Sequence, residues 1–174
     1  MGGGGGNAVK TMYRTGIKDV SFVLCNTDRQ ALMESDIPVK LQLGPGLGAG
    51  NVPEVATKYA EENVDEIRKQ FQDGTEMVFI TATMGGGTGT GAAPVVARVA
   101  KEAGVLTVGV VTIPFKFELR PKIVQALKGV DAISKHVDAL LVINNERIFD
   151  IFQNRNVSEA FHRVDDTLTI AVNS

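Results

Sequence analysis

Met77-Val78-Phe79-Ile80-Thr81-Ala82-Thr83-Met84-Gly85-Gly86-Gly87-Thr88-Gly89-Thr90-Gly91-Ala92-Ala93-Pro94-Val95-Val96 carries the decisive reading of this chain. Met77-Val78-Phe79-Ile80 is a short apolar run that predicts a strand. It feeds into Gly85–Gly91, where five of seven residues are glycine. Beyond the loop, Ala92, Val95, Val96, Val99 and Ala103 recur at helical spacing, and Gly104 supplies a C-cap. Without side chains, successive backbone N–H groups can turn inward as an anion-binding nest. The helix behind the loop directs the positive end of its dipole at the same spot, and Thr88 and Thr90 add hydroxyl donors. Strand, glycine loop and helix together point to a phosphate chain as the guest. The loop contains no Gly-Lys-Ser or Gly-Lys-Thr, which excludes the Walker motif and its phosphate-neutralising lysine.

Outward from this centre, strand and helix patterns alternate. A helix is expected over 7–15, directly after a first run of glycines. Val20 to Cys25 predicts a strand, broken by Asn26-Thr27-Asp28. Val39 to Leu43 alternates as a second, weaker strand. Residues 53–72 are helical, as one helix or two shorter ones, entered through Pro53 and Glu54. Val105 to Ile113 is a β-branched run of the kind buried on both faces. Residues 120–134 predict a helix, Ala139 to Ile143 another buried strand, and helices are expected at roughly 145–152 and 157–174. This order predicts an α/β fold: three layers, doubly wound, around a mostly parallel sheet. Ligands of such sheets sit at the carboxyl ends of the strands. Four of those ends carry polar or glycine-rich residues: Asn26-Thr27-Asp28, the Gly85–Gly91 loop, Thr112 with Pro114 and Phe115, and Asn144-Asn145.

The 174 residues suit one domain, 44% are hydrophobic, and the formal net charge is −2,. No basic stripe marks a nucleic-acid surface, and no apolar run reaches the roughly 18 residues of a membrane span. A lone Cys25 excludes an internal disulfide and reads as a small buried hydrophobe. With no charged-then-apolar leader, a reduced, cytoplasmic setting is expected. Glycine is the anomaly. Of 19, 14 fall in three clusters: Gly2 to Gly6; Gly44, Gly46, Gly48 and Gly50; and the loop above. Clustering of this kind means close backbone approach or repeated positive φ.

Gly-Gly-Gly-Thr-Gly-Thr-Gly at 85–91, with Met84 before it and Ala92-Ala93-Pro94-Val95-Val96 after it, resembles the signature loop of the tubulin/FtsZ family. In matching order come Gly3-Gly4-Gly5-Gly6-Asn7-Ala8-Val9, Asn26-Thr27-Asp28, Gly46-Leu47-Gly48-Ala49-Gly50, Pro53-Glu54-Val55 and Pro114-Phe115-Lys116-Phe117-Glu118. The likeness spans nearly the whole chain and is to the N-terminal GTP-binding half of FtsZ. It implies that Gly3, Gly4, Gly5 and Gly6 pass along the α- and β-phosphates of GTP or GDP, and that Asn7 reaches toward the guanine. Gly86, Gly87, Thr88 and Gly89 would hold the β- and γ-phosphates, with Thr112 and Lys122 beside the nucleotide. Glu118 would bind the ribose, Asn145 would lie against the base, Phe161 would stack on it, and Asp165 would accept the N1 and N2 protons that distinguish guanine from adenine. Phe161 and Asp165 are four apart, so one helix face presents both. Asp28 would be an outer-shell contact of Mg²⁺.

The same resemblance implies a polymerisation-dependent GTPase. Subunits associate head-to-tail in a cytoplasmic ring at midcell, acidic residues of the adjacent subunit polarise the water, and division proteins bind a C-terminal tail. This chain carries no catalytic residue of its own under that reading, and alone it should bind nucleotide yet hydrolyse it very slowly. Neither nucleic acid nor membrane insertion is implied. The chain departs from the family pattern in four places: the opening strand beside the first glycine run is absent, residues 43–47 are shortened, Leu119 and Lys122 replace a glycine and an arginine, and the sequence ends inside the helix that bears Phe161 and Asp165. Two other readings remain: a dinucleotide-binding oxidoreductase domain using Asp28 as ribose reader, and a structural domain that has lost its nucleotide.

Overall fold

The computed structural model describes residues 1–17, 19–113, 120–144 and 147–150. The chain opens with α1 (Gly2–Arg14), continues through β1 (Val23–Asn26), α2 (Arg29–Met33) and β2 (Val39–Gln42), and then forms the helix pair α3 (Pro53–Glu62) and α4 (Val64–Lys69). β3 (Met77–Thr83), α5 (Thr88–Glu102), β4 (Leu106–Thr112), α6 (Arg120–Ser134), β5 (Ala139–Asn144) and β6 (Arg147–Asp150) follow. The expected alternation and α/β class hold, and of the two alternatives for residues 53–72 the pair of shorter helices is found, α3 and α4, separated at Asn63.

Three expectations need correction. First, α1 begins at Gly2, inside the glycine run that was expected to precede it. Glycine costs a helix roughly 1 kcal/mol relative to alanine. Here close packing outweighs that preference: a Cβ on Gly5 would overlap the Thr81 carbonyl, and one on Gly4 would overlap the Thr83 hydroxyl. The helix lies on β3 at a distance that only glycine permits.

Second, the strands form two sheets. β1 and β2 pair in parallel, Val23 opposite Val39 through Asn26 opposite Gln42. The other sheet runs β3-β4-β5-β6, parallel except for its last strand. Between the sheets lies a cavity of about 600 Å³, lined among others by Cys25, Leu41, Phe71, Val78, Ile80 and Val96. α1 spans it, packing on both β1 and β3. Third, Arg147–Asp150, expected within a helix, pairs antiparallel with β5. Ile148 and Phe149 suit a strand, and the pairing covers an edge of β5 that would otherwise be open. The helix expected over 157–174 lies outside the described residues.

The main core joins α5 to the larger sheet through Ala92, Ala93, Val96, Ala97 and Val99 against Ile80, Ala82 and Val111, with α6 contributing Ala126 and Ile133. The small residues of α5 bring its backbone near the strands, as the glycines do for α1. A second cluster, Leu24, Leu32 and Ile37, is closed by Tyr13 and Phe22, whose rings meet edge-to-face with centroids 5.6 Å apart. Cys25 is buried, and burial pushes its thiol up to about 11, in keeping with an inert apolar role,.

At the base of the sheet, Asp138 ties three elements together. It accepts the Thr107 N–H at 2.8 Å and the Lys101 ammonium at 3.2 Å, while its own N–H donates to the Thr107 carbonyl. The Thr107 N–H first, and Lys101 after it, hold this carboxyl below its ordinary value. A depressed carboxylate stabilises the fold above its unfolded pKa of about 3.9, and that contribution disappears as pH falls through the folded value. Asp138→Asn should therefore cost about 1 kcal/mol at neutral pH, a modest figure because the side chain is one-third exposed,. Urea denaturation at pH 7 and at successively more acidic pH below 4 checks the sign: the gap between wild type and variant should narrow as pH falls,.

Candidate functional site

The carboxyl end of β3 leads through Met84 into Gly85-Gly86-Gly87, and Gly87 is the N-cap of α5. No side chain caps this helix among the described residues, so the first-turn N–H groups of Thr88, Gly89 and Thr90 lack the partners that a cap would give,. The loop folds on itself where the Gly85 N–H donates to Thr90 Oγ1 at 2.8 Å. Residues 84–90 contain no carboxylate. Their donors are backbone amides and threonine hydroxyls, a set suited to an anion.

The start of α1 arrives at the same point. It too has no side-chain cap, and a Cβ on Gly2 would meet Thr88 Cβ at 3.3 Å and the Gly89 nitrogen at 3.4 Å. Two helix N-termini thus converge on Thr88 and Gly89. The Met1 ammonium is buried and donates to the Thr81 carbonyl at 3.0 Å; burial lowers its pKa. The third wall comes from β1: Thr27, buried just past the strand, shares a 2.7 Å hydrogen bond between its hydroxyl and that of Thr88.

The second glycine cluster forms the rim. Gly44, Gly46, Gly48 and Gly50 all have positive φ, as does Asn51, so the stretch winds through conformations that β-carbons resist,. It is fastened at both sides. The Arg29 N–H donates to the Gly46 carbonyl and the Gly48 N–H to the Thr27 carbonyl, each at 2.9 Å. A Cβ on Gly87 would stand 3.0 Å from both Ala49 Cβ and the Val52 nitrogen, which places this rim directly on the first loop. Leu47, at its tip, is 89% exposed.

Of the residues singled out from sequence, Gly86, Gly87, Thr88 and Gly89 lie together in the loop. Gly3, Gly4, Gly5 and Gly6 occupy the first turns of α1, where Gly5 and Gly6 are buried and Gly3 and Gly4 are exposed. These four are helical, so any amides they offer come from a helix start. Asn7 is exposed on α1. Thr112 ends β4 opposite Thr83, and its carbonyl accepts the Met84 N–H at 2.8 Å. Lys122 is exposed on the first turn of α6. Asp28 serves locally as N-cap of α2: its Oδ1 accepts the Gln30 and Ala31 N–H groups at 2.9 and 3.3 Å. No cluster of three or more metal-ligating side chains occurs among the described residues. Glu118, Asn145, Phe161 and Asp165 lie outside the described residues.

Sequence reasoning missed two parts of this site. The Thr27–Thr88 bond joins residues 61 apart and carries no local signal. The α2 cap had one, Asp28 ahead of a short helix-forming stretch. A further contact comes from Gln125 of α6, whose Nε2 donates to the Gly85 carbonyl at 2.8 Å.

The molecule is therefore an α/β domain whose glycine-rich loop and two helix N-termini meet at the carboxyl ends of its strands. Residues 1–153 match the tubulin/FtsZ family, GTPase domain. The chain is 58% identical over 178 residues to the cell division protein FtsZ of Porphyromonas gingivalis, covering 99% of this chain and 39% of that protein. Among solved structures, an empty FtsZ dimer from M. jannaschii superposes with a TM-score of 0.82 at 41% identity, over 98% of this chain and 51% of that one. CetZ1 from Haloferax volcanii, a GDP-bound monomer, shares the fold with a TM-score of 0.74 at 24% identity, over 99% of this chain and 56% of that one. The chain belongs to the tubulin/FtsZ family. It spans about half the length or less of the relatives it matches. Family membership removes the oxidoreductase reading.

Proposed function

We propose that this chain is the guanine-nucleotide-binding domain of a tubulin-like cell-division protein, and that the whole protein polymerises head-to-tail and hydrolyses GTP at the subunit interface. The observation that carries this reading is the convergence of two uncapped helix N-termini on Thr88 and Gly89 within a loop free of carboxylates. Such a site stabilises the oxygens of a polyphosphate by oriented amides and helix dipoles, without a lysine. Gly86, Gly87, Thr88 and Gly89 take the β- and γ-phosphates. The start of α1, from Gly3 to Gly6, takes the α- and β-phosphates, and Asn7 extends toward the base. Thr112 and Lys122 line the approach from the β4–α6 side.

The residues outside the described part complete the nucleotide: Glu118 holds the ribose, Asn145 and Phe161 contact the ring, and Asp165 reads guanine through two parallel N–H donors that adenine does not offer there. Magnesium keeps most of its waters and binds mainly through phosphate oxygens, which fits a site whose described residues hold no cluster of three or more metal-ligating side chains,. Asp28 contributes at most an outer-shell contact, since Oδ1 already caps α2. Hydrolysis draws its acidic residues from the next subunit, so the domain by itself turns over slowly. Self-association, division partners and a place in the midcell ring belong to the whole protein.

Binding of a fluorescent GDP analogue to the purified chain, competed with GTP, ATP and NADH, tests the reading. Displacement by GTP alone is the expected result. No binding by any of them would favour a structural domain without a nucleotide.

A further inference from the structure

Gln125 lies on α6, outside both glycine loops, yet its side-chain amide reaches both. Nε2 donates to the Gly85 carbonyl at 2.8 Å, the Gly86 carbonyl at 3.1 Å and the Asn51 carbonyl at 3.2 Å. A carboxamide has two N–H donors, so three acceptors saturate it and one N–H is shared. The reversed amide orientation would set an oxygen against three carbonyl oxygens, which fixes the assignment of N and O.

Peptide geometry gives these bonds a consequence. In a planar trans peptide the carbonyl of one residue and the N–H of the next point in opposite directions. Drawing the Gly85 and Gly86 carbonyls toward α6 therefore turns the Gly86 and Gly87 N–H groups away from it. Glycine offers little resistance to rotation of these planes, so an external clamp is what selects one orientation. The third bond fastens the end of the 44–51 rim to the same amide.

We propose that Gln125 is a positioning residue for phosphate binding: it orients the Gly86 and Gly87 amides and locks the Gly44–Asn51 rim to the phosphate loop. The inference rests on the nucleotide reading above and adds to it a residue on a third element. The contribution is preorganisation, because amides that already face the ligand lose less freedom on binding.

The test compares wild type, Gln125→Met and Gln125→Glu. Methionine keeps the length and bulk and removes the donors. Glutamate keeps the shape but, when ionised, places a carboxylate against three carbonyls; protonation restores an O–H donor, and the surrounding carbonyls favour the protonated form. GTP affinity is measured at pH 8 and pH 5.5, with thermal melting to check folding. Both variants should bind GTP at least about tenfold more weakly at pH 8, the effect of losing one or more net hydrogen bonds. Relative to wild type, Gln125→Glu should recover at pH 5.5, whereas Gln125→Met should not. That pH-dependent recovery is a signature that loss of packing cannot give. Wild-type affinity within twofold in both variants, or the same pH response in both, overturns the role of Gln125 alone. Failure of the wild type to bind GTP overturns the nucleotide reading, and this inference with it.

Discussion

Gly91→Ala should lower the stability of the fold by about 3 kcal/mol, at the upper end of what one methyl in a packed interior costs. The added Cβ would overlap the Pro53 carbonyl, and its other close neighbours, at 2.8 and 3.0 Å, are the carbonyl carbon and Cα of the same residue. None of these is the end of a flexible side chain that can swing aside. The only relief is to part α3 from α5, and those helices are cross-linked at this point. Thr57 Oγ1 lies 3.0 Å from the Pro53 carbonyl and 2.9 Å from that of Gly91. Nearby, Arg98 of α5 holds Glu61 of α3 with two bonds of 2.6 and 2.8 Å, and Arg98 holds the Glu61 carboxyl below its ordinary value. Separation would loosen all of these together and open the Ala56 and Ala60 face, which is fully buried. In the helix interior alanine is intrinsically better than glycine by roughly 1 kcal/mol, so an increase in stability is the outcome expected if packing did not matter. Equilibrium denaturation distinguishes the signs. Thr57→Val, which loses the cross-link without adding bulk, should cost about 1 kcal/mol and so separates the two contributions.

The contrast shows what was legible in the sequence. Strand and helix periods located β2, β3, α3 to α6, β4 and β5 to within a few residues, because each presents one apolar face or a continuous buried run. The Gly85–Gly91 stretch was legible as a candidate anion site because glycines clustered after a strand and ahead of an apolar helical period have few other uses, although Gly89 and Gly91 prove to lie in the start of α5 itself. The glycines of α1 misled for a physical reason: in sequence, glycine signals freedom, and here it signals the absence of a Cβ where a helix presses on β3. The division into two sheets depends on which strand edges meet, information that no local window contains. Asp28 and Gln125 illustrate the limits on polar residues. An aspartate before a short helix can be a cap or a ligand, and only the hydrogen bonds of α2 show the cap. A glutamine on an amphipathic helix reads as a solvated side chain unless the loops it faces are known.

Gly89→Ala should cost more in ligand binding than in stability, and here the predicted loss of GTP affinity exceeds a hundredfold. The Cβ would overlap the Thr83 carbonyl and stand 3.3 Å from the Thr83 nitrogen, so the start of α5 must move off the end of β3. This is the turn whose free N–H groups face the proposed phosphates, and it also carries the Thr27–Thr88 hydroxyl bond. A shift of about 1 Å in fixed donors is enough to remove much of their benefit, since catalytic and binding constellations tolerate only roughly 0.5 Å of error. Several amides would be displaced together, and losing about 1.4 kcal/mol twice is a hundredfold. Titration of GTP into Gly89→Ala and Gly91→Ala, each verified as folded by circular dichroism, separates the two sites. Gly91→Ala, one turn interior at the α3 contact, should retain affinity within tenfold despite its lower melting temperature. Equal losses of affinity in both variants would mean that α5 transmits strain as a rigid rod, and that the first turn has no privileged relation to the phosphates.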